Sequence, residues 1–82
     1  MDTFLFRLVR NRDVTGVSGT GVVADGVQWP DGAVTIRWRG ERPSTVNWSC
    51  IEDAEFVHGH AAATSFEWFE SGRWMPNRDG RA

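Results

Sequence analysis

Lysine and tyrosine are absent from this chain of 82 residues, and cysteine occurs once. A lone Cys50 cannot form an internal disulfide, so a reducing compartment or indifference to redox state fits best. No run approaches the roughly 18 apolar residues that a membrane span needs, and Met1-Asp2-Thr3-Phe4 lacks the basic and apolar regions of a secretory signal. The expectation is a cytoplasmic protein that does not enter a membrane. Positive charge is also short: the net charge is −2 and the pI about 5.5. A duplex-binding domain carries a basic stripe and a high pI, so broad nucleic-acid binding is disfavoured while a local arginine patch is not. The charge is uneven, because residues 1–43 hold six Arg against five acids (+1) and residues 44–82 hold three Arg against six acids (−3).

Aromatic residues are plentiful, with five Trp and five Phe. A chain this short buries only about 60% of its unfolded surface. Each buried aromatic removes roughly 150 to 250 Å² from water, so these residues must supply much of the core. The length predicts one domain over residues 1–70, followed by a tail over 71–82 that docks on its own domain or is exchanged with another subunit.

Alternation of apolar and polar residues marks the strands. Phe4, Phe6 and Leu8 share one face of an extended segment, with Leu5, Arg7 and Val9 on the other. Thr20 to Trp29 reads as a long strand in which Gly26 marks a bulge or a sharp bend. Pro30-Asp31-Gly32 supplies turn chemistry. Ala33 to Arg39 alternates, placing Val34, Ile36 and Trp38 inward and Thr35, Arg37 and Arg39 outward. Ser44 to Trp48 is a short fourth strand with Val46 and Trp48 inward.

Ser49-Cys50-Ile51-Glu52 has the form of a capping box, and Gly59 suits the left-handed residue that ends a helix. The helix between them, Ile51 to His58, should bury Ile51, Ala54 and Val57. Thr64 to Glu70 is the fifth strand, with Phe66 and Trp68 inward and Phe69 outward. This order predicts a mainly β fold, a small five-stranded SH3-like barrel with one short helix before the last strand. The alternative, an OB-type barrel, places its helix after the third strand.

The run from Asp13 to Val27, together with Asp31-Gly32, Arg37-Trp38, Ser44-Thr45 and His58-Gly59-His60, resembles a set of uncharacterised small proteins of actinobacteria and their phages. The resemblance covers about residues 4 to 68. It implies a phage or prophage origin and carries almost no implication about activity.

Catalysis needs a nucleophile with a base, paired carboxylates or a metal. Cys50, in the first helical turn beside Trp48 and Ile51, reads as an inert thiol, and Glu52, Asp53 and Glu55 read as a solvated helix face. His58 and His60 are ligand-type residues without a full ligand set, so neither a metal nor another cofactor is expected. The glycines from Gly16 to Gly21 precede a strand and lack the helix N-terminus that gives phosphate loops their affinity. The protein is therefore expected not to be an enzyme.

Arg37, Trp38, Arg39 and Arg42 form the most suggestive constellation, joined across the hairpin by Thr35, Thr45 and Asn47. Guanidinium groups recognise carboxylate or phosphate and stack on aromatic planes. The bland alternative is a solvated face with Arg pairing to Glu41 or Glu67. Trp74 on the tail is a large apolar group suited to packing on the domain or anchoring an interface. The expected function is a binding module that engages a protein partner, such as a host protein, through this Arg/Trp-bearing face. The alternative is capture of a small anionic ligand, such as a signalling nucleotide, at a homo-oligomer interface. Arg37, Arg39, Arg42, Thr45 and His60 would be its contacts, with Trp38 or Trp48 stacking.

Overall fold

The computed structural model describes residues 2–11, 21–58 and 64–76. Six strands and one helix run in the order β1 (Phe4–Arg10), β2 (Gly21–Gln28), β3 (Val34–Trp38), β4 (Ser44–Trp48), α1 (Ile51–His58), β5 (Thr64–Glu70) and β6 (Arg73–Met75). They form one antiparallel sheet ordered β4-β3-β2-β1-β5-β6. The fold is mainly β with one short helix, as the alternation predicts, but it is an open six-stranded sheet and not a closed five-stranded SH3-like barrel. Closure would need an end strand to find a second partner. The outer edge of β5 is instead taken by β6, and β4 has β3 on one side only among the described strands.

The inner face collects the residues that alternation assigns to it. Phe6, Leu8, Val34, Ile36, Phe66 and Trp68 are buried, joined by Val23 and Ala24 from β2 and by Ile51 and Ala54 from α1. Phe6 sits at the centre, its ring 5.6 Å from that of Phe66 and 4.8 Å from that of Trp68. Phe4, Trp38, Val46 and Trp48 pack around this cluster.

Two local expectations, at Gly26 and at Val57, are corrected. Gly26 makes no bulge, since its pairing with Phe6 on one side and Ile36 on the other is regular. It makes room for the Phe6 ring, because a Cβ there would stand 2.3 Å from two ring carbons. The irregularity lies at Val23, where Leu8 faces Ala24 but Val9 faces Val22. The skipped residue brings two consecutive side chains, Val23 and Ala24, to the core, as a bulge does.

On α1, Val57 is exposed, and Ile51 and Ala54 alone are fully buried. His58 takes the third inward position, its ring meeting Trp38 at 5.0 Å and Trp48 at 5.6 Å edge-on. The helix therefore lies over the inner face near β4. Gly59, expected to end it, lies outside the described residues.

The β2–β3 turn follows its residue chemistry. The Gly32 amide donates to the Trp29 carbonyl at 2.9 Å, the Ala33 amide to Asp31 Oδ1 at 3.0 Å, and Gly32 has φ of 95°. At the other end of the sheet, Ser71 and Gly72 have φ of 54° and 82°, so β5 and β6 form a tight hairpin with Glu70 opposite Arg73. This hairpin sets the β6 side of the outer face.

Candidate functional site

The register of six strands writes two rows across the outer face. One is charged: Thr45, Arg37, Asp25, Arg7 and Glu67 stand in line across β4, β3, β2, β1 and β5. The other begins at Asn47 and runs through Thr35 and Val27 to Leu5. Phe69 and its partner Trp74 share this face on β5 and β6. Alternation places every one of these residues opposite the core.

Most of the row's charge is neutralised, by one ion pair within it and one to Arg39 beside it. Arg7 donates from Nε to Glu67 Oε1 at 2.9 Å and brings Nη2 to the same oxygen at 2.9 Å. Arg39, just past β3, forks onto Asp25 with Nε to Oδ2 and Nη2 to Oδ1, both at 2.9 Å. The Arg39 hydrogen bonds hold the Asp25 carboxyl below its usual range, burial opposes them, and the charges of Arg39 and then Arg7 add to the lowering. Arg37 differs: its recorded partner among the described residues is the Thr45 hydroxyl, to which Nη1 donates at 2.9 Å. Its charge thus meets a neutral oxygen.

Two indoles flank the second row. Trp29 donates from Nε1 to Thr35 Oγ1 at 2.9 Å, and that hydroxyl donates onward to Asn47 Oδ1 at 2.6 Å, pinning the ring at the β2–β3 end. Trp74 lies over Arg7, whose guanidinium carbon is 4.4 Å from the ring centroid, and meets Phe69 edge-on at 5.1 Å. Between β3 and β6 the face is concave. A depression of about 310 Å³ is lined by Leu5, Asp25, Val27, Thr35, Arg37 and Trp74, with Phe6 and Gly26 also lining it. The lining is overwhelmingly apolar, Arg37 and Asp25 supplying its charged groups.

The residues singled out from sequence divide accordingly. Arg37, Arg39 and Thr45 share the outer face, and Trp74 joins them from the tail. Trp38 does not, because it sits on the inner face against His58, and Trp48 lies there too. Neither ring can stack on a ligand held by Arg37. Arg42 is exposed in the β3–β4 connection, and His60 lies outside the described residues. Glu67 pairs with Arg7, not with Arg37 or Arg39, and Asp25 is the acid that takes Arg39. Leu5, Val27 and Trp29 were not anticipated as site residues. The signal available was that Leu5 and Val27 occupy solvent-side positions of strands that already have a full inner face.

Among the described residues no three of His, Cys, Asp and Glu gather closely enough to hold a metal ion. No described helix is long and apolar enough to cross a membrane.

Comparison with known families matches residues 3–70 to the Acb5 phage protein. The chain belongs to the Acb5 phage protein family. The match extends from just before β1 to the end of β5 and so takes in the whole inner core, while β6 and its Trp74 lie beyond it. Within the family region fall Leu5, Asp25, Val27, Thr35 and Arg37, which make most of the concave face. No curated protein and no solved structure matches the chain.

Proposed function

We propose that this phage protein is a non-enzymatic capture module that works in the host cytoplasm. The concave outer face of its sheet takes up a small ligand with a flat apolar body and one anionic group. A nucleotide is the nearest biological chemistry. The observation that carries this reading is the pairing of Arg37, whose recorded partner is a hydroxyl, with an apolar depression walled by Trp74. An anion would receive charge-assisted hydrogen bonds from Arg37, while a ring would cover Leu5 and Val27 and lie against the indole. Its volume is at the lower end of the range for small-molecule sites. The described lining residues are suited to holding a ligand, so the function proposed is sequestration.

A second reading is supported by the rim. Leu5, Trp29 and Phe69 are exposed around the depression, and Trp and Arg are the residues that dominate protein interfaces. In that reading a protein partner covers the face and Trp74 anchors it.

Thermal denaturation against a nucleotide panel separates the two. A ligand at one hundred times its dissociation constant stabilises by about 2.7 kcal/mol, which raises the midpoint of a domain this size by about 10 °C or more. Arg37→Ala should abolish the shift without lowering the unliganded midpoint. A panel that moves neither protein overturns the capture reading. Retrieval of one protein by the wild type and not by Arg37→Ala would then favour the second.

A further inference from the structure

Trp74 is the wall of the depression, yet it stands on the least secure element of the sheet. Strand β6 has three residues, an unpaired outer edge among the described strands, and a tight turn as its tether. Main-chain pairing places the Cα of Trp74 opposite Phe69 but leaves its side-chain torsions to be set by whatever touches the ring. Among the described residues the ring is met by Phe69, edge-on, and by Arg7, whose guanidinium lies 4.4 Å from the ring centroid.

Arg7 is itself fixed. Its Nε and Nη2 converge on Glu67 Oε1, which sets the guanidinium plane, and both side chains are about three-quarters sheltered from solvent. Arg7 does not line the depression, and neither does Glu67. A carboxylate on β5 therefore orients a cation on β1, and that cation supports an indole on β6. The chain of contact runs Glu67, Arg7, Trp74, and only its last member meets the proposed ligand.

We propose that Arg7 and Glu67 are positioning residues that hold the Trp74 indole as the wall of the ligand site, so that they set affinity without touching the ligand. This rests on the capture reading. Lysine at position 7 would keep the charge but lose the planar fork that both meets Glu67 and stacks on the ring. Arg7→Lys should therefore weaken binding although charge is conserved.

The test uses anilinonaphthalene sulfonate, a flat apolar body with one anionic group, titrated into the folded full chain and followed by its fluorescence. Wild type should bind it, and Arg37→Ala and Trp74→Ala should each lose most of the affinity. Arg7→Lys should weaken it about fivefold, the size of one partly exposed cation–π contact. Glu67→Gln keeps the volume and one acceptor oxygen and should weaken it by less. The decisive comparison is Arg7→Lys in the Trp74→Ala background, where it should have no further effect, since the indole it supports is gone. Should wild type fail to bind the probe, the capture reading itself falls. Should wild type bind while Arg7→Lys binds equally well, or Arg7→Lys cost the same with and without Trp74, the positioning role is overturned and the capture reading survives.

Discussion

Phe6 and Gly26 face each other across β1 and β2, and the phenyl ring occupies the space that any side chain at position 26 would need. The contact joins the core to the candidate site, because the strand segment that the ring presses from inside is also the floor of the outer depression. Gly26→Ala should destabilise the protein by about 3 kcal/mol, the upper part of the range for overpacking. That corresponds to a midpoint lower by about 12 °C or more. Phe6→Leu should recover part of the loss in the double variant, because it removes the ring carbons that the new methyl meets. Strictly additive effects in urea denaturation would show that the ring is not what excludes the methyl.

The Asp25 carboxylate gives the outer face an acid-sensitive element. Its pKa lies below the ordinary aspartate value of 3.8, chiefly through hydrogen bonds from Arg39. A depressed pKa means that the contribution to stability is present above the ordinary value and is lost as pH falls through the lowered one. Wild type should therefore exceed Asp25→Asn in urea midpoint at pH 6, and the difference should close as pH drops below about 3.8. The gap should be small and should narrow in added salt, because both partners are more than half exposed. A gap independent of pH would remove the ion pair as its cause.

Much of this arrangement was legible in the sequence. Ser44–Trp48, Ile51–His58 and Thr64–Glu70 have the bounds that alternation and helical spacing give them, because each has one continuous apolar face to bury. The placement of Arg37 with Thr45 and of Thr35 with Asn47 follows from the same period of two. What was not legible depends on partners distant in sequence. A glycine inside a strand marks either a bulge or a close approach, and only the Phe6 ring decides for Gly26. Arg73-Trp74-Met75 is too short to show a period, so β6, and with it the open edge that replaces closure, has no local signal. The choice of His58 over Val57, by contrast, lies in the spacing: at about 100° per residue, position 58 falls about 20° from Ile51 and position 57 about 120° from it, so the imidazole meets the indoles of Trp38 and Trp48.

Helix α1 carries the most exposed large apolar residue among the described residues, Phe56, at 89% of full exposure. Its replacement by Glu should leave the denaturation midpoint within about 0.5 kcal/mol of wild type, as surface substitutions do. Ala54→Leu, two positions away and fully buried, should cost about 1 to 3 kcal/mol by overpacking. Circular dichroism melts of the two variants check both. A large loss in Phe56→Glu would mean that this ring is packed in solution.

Thr35 links Trp29 to Asn47 through one hydroxyl, donating to the amide oxygen while accepting from the indole. In Thr35→Val both outer groups turn to water, so stability should fall by only about 1 kcal/mol or less. The indole N–H resonance of Trp29 should move toward its solvent-exposed position, because the ring loses the contact that pins it. An unmoved resonance would show that packing, not the hydroxyl, holds Trp29 at the rim.

Ser71 adopts φ of 54°, a left-handed conformation that costs most side chains about 1 kcal/mol, immediately before Gly72 at 82°. Asparagine tolerates this conformation, and Asn-Gly is the preferred pair for a two-residue hairpin loop with positive φ at both positions. Ser71→Asn should therefore stabilise the β5–β6 hairpin by about 0.5 to 1 kcal/mol, whereas Gly72→Ala should destabilise it by about 1 kcal/mol or more. Because β6 is a three-residue edge strand, its amides should exchange with solvent by local opening, well below the free energy of global unfolding. Ser71→Asn should then slow hydrogen exchange at Arg73 to Met75 several-fold while leaving the amides of Leu8 and Ile36 nearly unchanged. Equal slowing in all of them would place β6 within the global unfolding unit. In that case the wall that Trp74 provides is as permanent as the core beneath it.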